Sequence, residues 1–141
     1  MIPVAAQSFV LFPLGGKRFA LPADTVTELA RQGNLQQFPH RTPNMAGVLV
    51  RRGRIVPVCD VAPLLVGPGT APRKFYLIAK RQFGPRQEAT AIPVTGECEL
   101  INAELIAPAG KLPAYVMGLL SLANEIVEVV DLNRLATEVA A

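Results

Sequence analysis

The sequence holds no tryptophan, a single histidine and two cysteines, and only 6% of its residues are aromatic. Each scarcity removes a class of chemistry. His40 has no second histidine and no neighbouring cysteine, so neither a metal site nor a histidine-based triad is expected. Cys59 and Cys98 lack Cys-x-x-Cys spacing and read as two small reduced thiols, not as a disulfide or a zinc ligand pair. No apolar run reaches the length that spans a bilayer, so no membrane insertion is expected. The start, "MIPVAAQSFVLF", has no basic region ahead of its apolar residues and does not read as a secretion signal. These features together lead to the expectation of a cytoplasmic protein. Charge is also sparse at 18%, against 50% hydrophobic residues, so a packed interior is expected over disorder.

What the chain does have is proline, glycine and short β-branched runs. Thirteen prolines and eleven glycines punctuate brief Val/Ile/Leu stretches, a pattern of many short strands joined by turns. Two stretches repeat. "GVLVRRGRIVPVCD" at 47–60 aligns without a gap on "GLLSLANEIVEVVD" at 118–131, placing Gly47 on Gly118, Val56 on Val127, Val58 on Val129 and Asp60 on Asp131. The same offset of 71 lays "FALPADTVTEL" at 19–29 over "TAIPVTGECEL" at 90–100. Upstream, "FVLF" at 9–12 resembles "FYLI" at 75–78, an offset of 66, which predicts a turn five residues longer in the second copy. A register shared by separated blocks indicates an internal duplication.

Each copy then predicts the same elements. A strand from Phe9 to Leu14 turns at "GGK" and returns through Arg18–Leu21. After a polar loop, Val48–Arg51 turns at Gly53 and returns through Arg54–Cys59. In the second copy Asn124 stands in the place of the turn glycine, since asparagine also tolerates positive φ. Alternation in "EIVEVV" puts Val127 and Val129 inward, and by the repeat Val56 and Val58. Ile55, Cys59, Ile126 and Val130 lie on the opposite face and are apolar too, as expected where one small barrel packs on another. Asp131 is a natural N-cap for a closing helix whose Leu132, Leu135, Ala136 and Val139 share a stripe.

The chemistry-bearing residues reduce to one cluster. Asp60 and Asp131 sit at helix starts, where capping accounts for them better than paired acid–base work. "GPGTAP" at 67–72 lacks the Lys-Ser/Thr of a phosphate cradle and reads as a linker. No enzyme emerges, and no cofactor is expected. Charge is unevenly spread: residues 1–86 hold 12 basic and 3 acidic groups, residues 87–141 hold 2 and 8. Within the basic part, Arg51, Arg52 and Arg54 surround the turn glycine, where the second copy has Leu122, Ala123 and Glu125. Since the shared positions already meet the needs of the fold, arginines confined to one copy point to a partner. Nucleic acid is one reading of that basicity, since the arginines and a later cluster of Arg73, Lys74, Lys80, Arg81 and Arg86 could grip phosphates, although the later cluster reads better as a solvated face. The aromatics do not interleave with the basic residues as a base-stacking platform requires, which weighs against it.

The order Gly47, Arg52, Gly53, Pro57 and Asp60, followed by "VAPLLVG", resembles the signature of CheW-like domains, Gly-x-x-Asn-x-Arg-Gly-x-x-x-Pro-x-x-Asp, with Val50 in place of the asparagine. "FALPADTVTEL" is similar to that family's earlier Ile-Pro-x-x-x-Val-x-Glu-Val stretch, and "YVMGLL" with "IVEVVDLNRL" to its closing motif. The resemblance implies a mainly β protein of two packed SH3-like five-stranded β-barrels with a short C-terminal helix. It implies a single domain over residues 8–141, built of repeats at about 9–66 and 75–136. It implies a non-catalytic chemotaxis adaptor without cofactor or metal, cytoplasmic and recruited to membrane-associated receptor arrays. Its partners would be the regulatory domain of a CheA-type histidine kinase and the cytoplasmic tip of methyl-accepting chemoreceptors. Carried over by position, Arg52 is the receptor-side arginine with Glu28 as its charge partner. Val10, Ala23, Val26 and Leu29 form the kinase-side apolar patch, although Val10 and Leu29 read equally well as core. The competing reading is a basic SH3-like barrel that binds nucleic acid.

Overall fold

A computed structural model describes residues 6–31, 47–69, 71–108 and 110–140 of the chain. Ten strands and two helices follow in order: β1 (Gln7–Leu14), β2 (Lys17–Pro22), β3 (Val26–Arg31), β4 (Gly47–Arg51), β5 (Arg54–Val58), α1 (Ala62–Val66), β6 (Phe75–Phe83), β7 (Arg86–Val94), β8 (Glu99–Ala103), β9 (Val116–Leu122), β10 (Glu125–Val130) and α2 (Leu132–Ala140). A single 3-10 turn, Ala23–Thr25, leads into β3. His40 and the rest of 32–46 lie outside the described residues.

The strands form two curled five-stranded sheets, each a small SH3-like barrel, and the two sequence repeats exchange hairpins to build them. The first barrel runs β8-β1-β2-β10-β9 and the second β3-β6-β7-β5-β4. Thus the β1–β2 hairpin of the first repeat sits among strands of the second, and β6–β7 of the second sits among strands of the first. The junctions are parallel, β2 beside β10 and β7 beside β5, while all other pairings are antiparallel.

Burial follows strand alternation. Phe9, Leu11, Ala20, Leu120, Val127 and Val129 fill the first barrel; Tyr76, Ile78, Ala91, Leu49, Val56 and Val58 fill the second. The opposite faces of the same strands meet in a third, larger cluster between the barrels. It contains Phe12, Phe19, Leu21, Leu77, Ile92, Cys59 and Val130, sealed by Leu132, Leu135 and Ala136 of α2. Each barrel interior is small, so this shared layer is what lets the chain bury enough apolar surface to fold. The expected outward packing of Cys59 and Val130 is met here. Ile55 and Ile126 differ: they are 68% and 58% exposed and take no part in the shared layer.

Two turn expectations are corrected. Tyr76 and Ile78 take the places that Phe9 and Leu11 hold in the other barrel, so the first-strand offset is 67 and not 66. The extra residues do not enlarge the turn. Both hairpins close on two residues, Gly15-Gly16 and Gly84-Pro85, and the second instead has longer strands, with Phe83 paired to Arg86. In each the first turn residue is a glycine at positive φ, 69° and 61°, as a type II′ turn requires. Asn124, by contrast, is not in the left-handed region; among the described non-glycine residues only Arg52 is.

Candidate functional site

The site is built around the β4–β5 hairpin. Arg51 pairs with Arg54 across the strands, leaving Arg52-Gly53 as a two-residue turn. Arg52 has φ 52° and Gly53 φ 75°, the positive pair of a type I′ turn. That turn favours Asn-Gly. An arginine in the left-handed region gains nothing there and costs about 1–2 kcal/mol. Arg52 is exposed and makes no ion pair among the described residues.

Glu28 lies close by but is held by a different arginine. Arg51 Nη2 donates to Glu28 Oε2 at 2.9 Å. Strand alternation accounts for it: Arg51 is in phase with inward-facing Leu49, whereas Arg52 sits at the turn tip. The hydrogen bond from Arg51 holds the Glu28 carboxyl below its ordinary range; partial burial opposes this, and the charges of Arg51 and then Arg52 add to it. Alternation alone would have nominated Arg51 over Arg52 as the partner of Glu28.

Around this pair the mouth of the second barrel opens into a basin of about 890 Å³. Arg51, Arg52, Arg54 and Lys80 line its rim, with Glu28, Glu88 and Gln87, over a floor that includes Ile78, Val56 and Ala89. The sequence reading placed Lys80 in a separate, merely solvated basic cluster and did not single out Gln87, because their distance along the chain hides that β7 runs alongside β5, with β6 next to it. The lining contains no aromatic side chain, so the basin offers no surface on which bases stack.

The second predicted patch is only partly assembled. Val10 and Val26 both pack, half-buried, against the layer between the barrels. Ala23 is half-buried in the 3-10 turn that leads into β3. Leu29, 39% exposed, faces outward from β3 beside Leu77. The sequence reading missed Leu100, which lies directly opposite Val10 on β8 and is 70% exposed. The 71-residue offset that relates Leu100 to Leu29 was the signal for it.

The remaining candidates resolve into structure. Asp131 Oδ1 accepts the backbone N–H groups of Asn133 and Arg134 at 3.0 and 3.3 Å, a helix cap. Asp60 Oδ1 accepts from the N–H of Ala62 and pairs with Arg73 Nη1 at 2.8 Å, pinning the inter-repeat linker to α1. Burial raises both thiols, Cys98 to about 12. Among the described residues no three His, Cys, Asp or Glu side chains group as a metal site. No described helix is long and apolar enough to cross a membrane.

Comparison with known proteins decides the family. The CheW-like domain profile matches residues 8–87, more than half of the chain. The chain belongs to the CheW-like domain family. It is 23% identical over 134 residues to the chemotaxis protein CheW of Klebsiella aerogenes, covering 92% of this chain and 81% of that one. It is 37% identical over 71 residues to protein FrzA of Myxococcus xanthus, covering 45% of this chain and 44% of FrzA. The scaffolding protein TtCheW of Thermoanaerobacter tengcongensis shares the fold, with a TM-score of 0.77, 19% identity, and coverage of 92% of this chain and 87% of that one. Membership makes the chain a non-catalytic bacterial adaptor of chemotaxis-type signal transduction. Neither these relatives nor the basin gives support to the nucleic-acid reading.

Proposed function

We propose that this CheW-like chain couples the cytoplasmic tips of methyl-accepting chemoreceptors to the regulatory domain of a CheA-type histidine kinase. It acts as one unit over residues 8–141, in the cytoplasm and recruited to receptor arrays. Arg52 is the receptor-side contact, with Glu28 behind it, and Val10, Ala23, Val26 and Leu29 meet the kinase. The observation that carries the reading is Arg52 itself: an exposed cation with no ion pair among the described residues, kept in a backbone conformation that disfavours it. Strain retained at an exposed residue is the mark of a position kept for a partner. Glu28, engaged by Arg51, leaves the Arg52 guanidinium available.

The test is a titration with the kinase regulatory domain from the same organism at two salt concentrations, joined to co-sedimentation with receptor signalling fragments. Saturable binding of the kinase domain that persists at moderate salt is expected, because that patch is largely apolar. Arg52→Glu is expected to fold normally, lose receptor co-sedimentation and retain kinase binding. Failure of the wild-type chain to bind either partner overturns the reading.

A further inference from the structure

We propose that the mouth of the second barrel is a recognition site for a short acidic segment of a partner protein, whose carboxylates are received by Arg54 and Lys80 beside Arg52. This rests on the adaptor reading for the identity of the protein carrying the segment, but not for the site.

The two mouths, equivalent by the repeat, are charged in different ways. In the first barrel Arg18 binds Glu125, with its Nε 2.9 Å from Oε1, and also Glu99 at 3.3 Å. One cation and two carboxylates satisfy one another. Offset by 71, Glu99 corresponds to Glu28 and Glu125 to Arg54, while Ala89 takes the place of Arg18. At those positions the second mouth has a single carboxylate, Glu28, and Arg51 occupies it; Glu88 also lines the rim but pairs with neither Arg54 nor Lys80 among the described residues. Arg54 and Lys80 make no ion pair among the described residues. Arg54 also stands directly opposite Arg51 in the hairpin, a like-charge cross-strand pair that weakens a sheet. The scaffold gains nothing from this arrangement, and the first barrel shows how the same positions are made self-sufficient.

The shape fits a short segment and not a flat charged surface. A basin of about 890 Å³ lies within the range of sites that enclose small ligands. Its floor of Ile78, Val56 and Ala89 is apolar, and Ile55 stands exposed on the rim. The occupant matching both features alternates carboxylate and aliphatic side chains. Bound carboxylates would also relieve the Arg51–Arg54 repulsion, so binding is expected to stabilise the hairpin.

The experiment is an amide chemical-shift titration of the full chain at about 0.15 M salt, where charges more than about 8 Å apart are screened. The probes are the capped peptide Glu-Leu-Glu-Glu-Leu-Glu, its glutamine counterpart and a twelve-nucleotide oligothymidylate. Saturable shifts confined to Arg54, Lys80, Gln87 and Ala89 are expected with the glutamate peptide only. The double variant Arg54→Gln/Lys80→Gln is expected to lose at least tenfold in affinity, while Lys111→Gln loses nothing. Shifts spread over Lys17, Arg73 and Lys111 as well, an unaffected double variant, or tighter binding of the oligonucleotide would each overturn the proposal. A misfolded double variant leaves the wild-type shift map as the deciding result. Peptide bound at the mouth by a chain that ignores receptor and kinase would sink the adaptor reading alone; receptor co-sedimentation untouched by the double variant, with no peptide shifts, would sink this one alone.

Discussion

Arg51 Nη2 and Glu28 Oε2, 2.9 Å apart, join β4 to β3, the two edge strands of the second barrel. The ion pair thus spans the sheet's two open edges. The first barrel brings its edges together by other means, a backbone bridge between Ile106 and Leu119 beyond β8. Among the described residues, this is the ion pair that joins the edges β3 and β4, so it carries both a charge and the closure of the barrel.

That closure is expected to be pH-dependent. Glu28 titrates lower in the folded chain than unfolded, because of the hydrogen bond from Arg51. A depressed carboxyl contributes its stability in full above the unfolded value, near pH 4.5, and loses it as pH falls through the folded value. Glu28→Gln should therefore be less stable than the parent at pH 7, with the difference shrinking towards zero as pH falls below about 4. Urea unfolding at pH 7, 5 and 3.5 measures it. A constant difference would mean that the contribution of Glu28 is steric and not electrostatic.

How far the sequence revealed this arrangement depends on the interaction range involved. Val56, Val58, Val127 and Val129 were legible as interior residues, because alternation is local and the repeat reads it twice. Leu132, Leu135 and Ala136 were legible for the same reason at helical spacing. The hairpin exchange was not, since nothing within β1 or β6 says which repeat supplies its neighbours. The Arg51–Glu28 pair fell between these cases. Its strand phase was readable, but the motif drew the eye to Arg52. Lys80 was illegible as part of the site, because only the parallel β5–β7 junction brings its hairpin to the arginines.

Gly118 tests the strand packing of the first barrel. A Cβ placed there would meet Leu105 Cδ1 at 2.5 Å and the Ile106 carbonyl oxygen at 2.9 Å. The second contact is with backbone, in the segment that bridges to Leu119. Gly118→Ala is expected to cost about 1–3 kcal/mol, as overpacking of a well-filled site does. Thermal unfolding reads it, and an unchanged midpoint would show that the 105–106 segment moves aside freely.

The thiols give a probe of the layer between the barrels. Burial pushes Cys98 up to about 12 and raises Cys59, so neither is a thiolate at neutral pH. Iodoacetamide labelling at pH 7.5 is expected to be far slower than for free cysteine and to reach that rate only in denaturant. Cys59 lies within the shared cluster and Cys98 packs against it. Fast labelling of both under native conditions would mean that the barrels separate readily.

Arg52→Asn separates stability from recognition at one position. Asparagine adopts the left-handed region more readily than arginine, and Asn-Gly is the preferred type I′ pair. The substitution should keep or raise stability, by up to about 1 kcal/mol, since Arg52 makes no ion pair among the described residues. Receptor co-sedimentation should fall at the same time, because the exposed cation is gone. Thermal unfolding and co-sedimentation on one preparation give both readings. A gain in stability with a loss of binding is the signature of a residue retained against the preference of its own turn. A loss of stability instead would assign Arg52 to holding the hairpin, and the receptor contact would then have to be sought at Arg54 and Lys80.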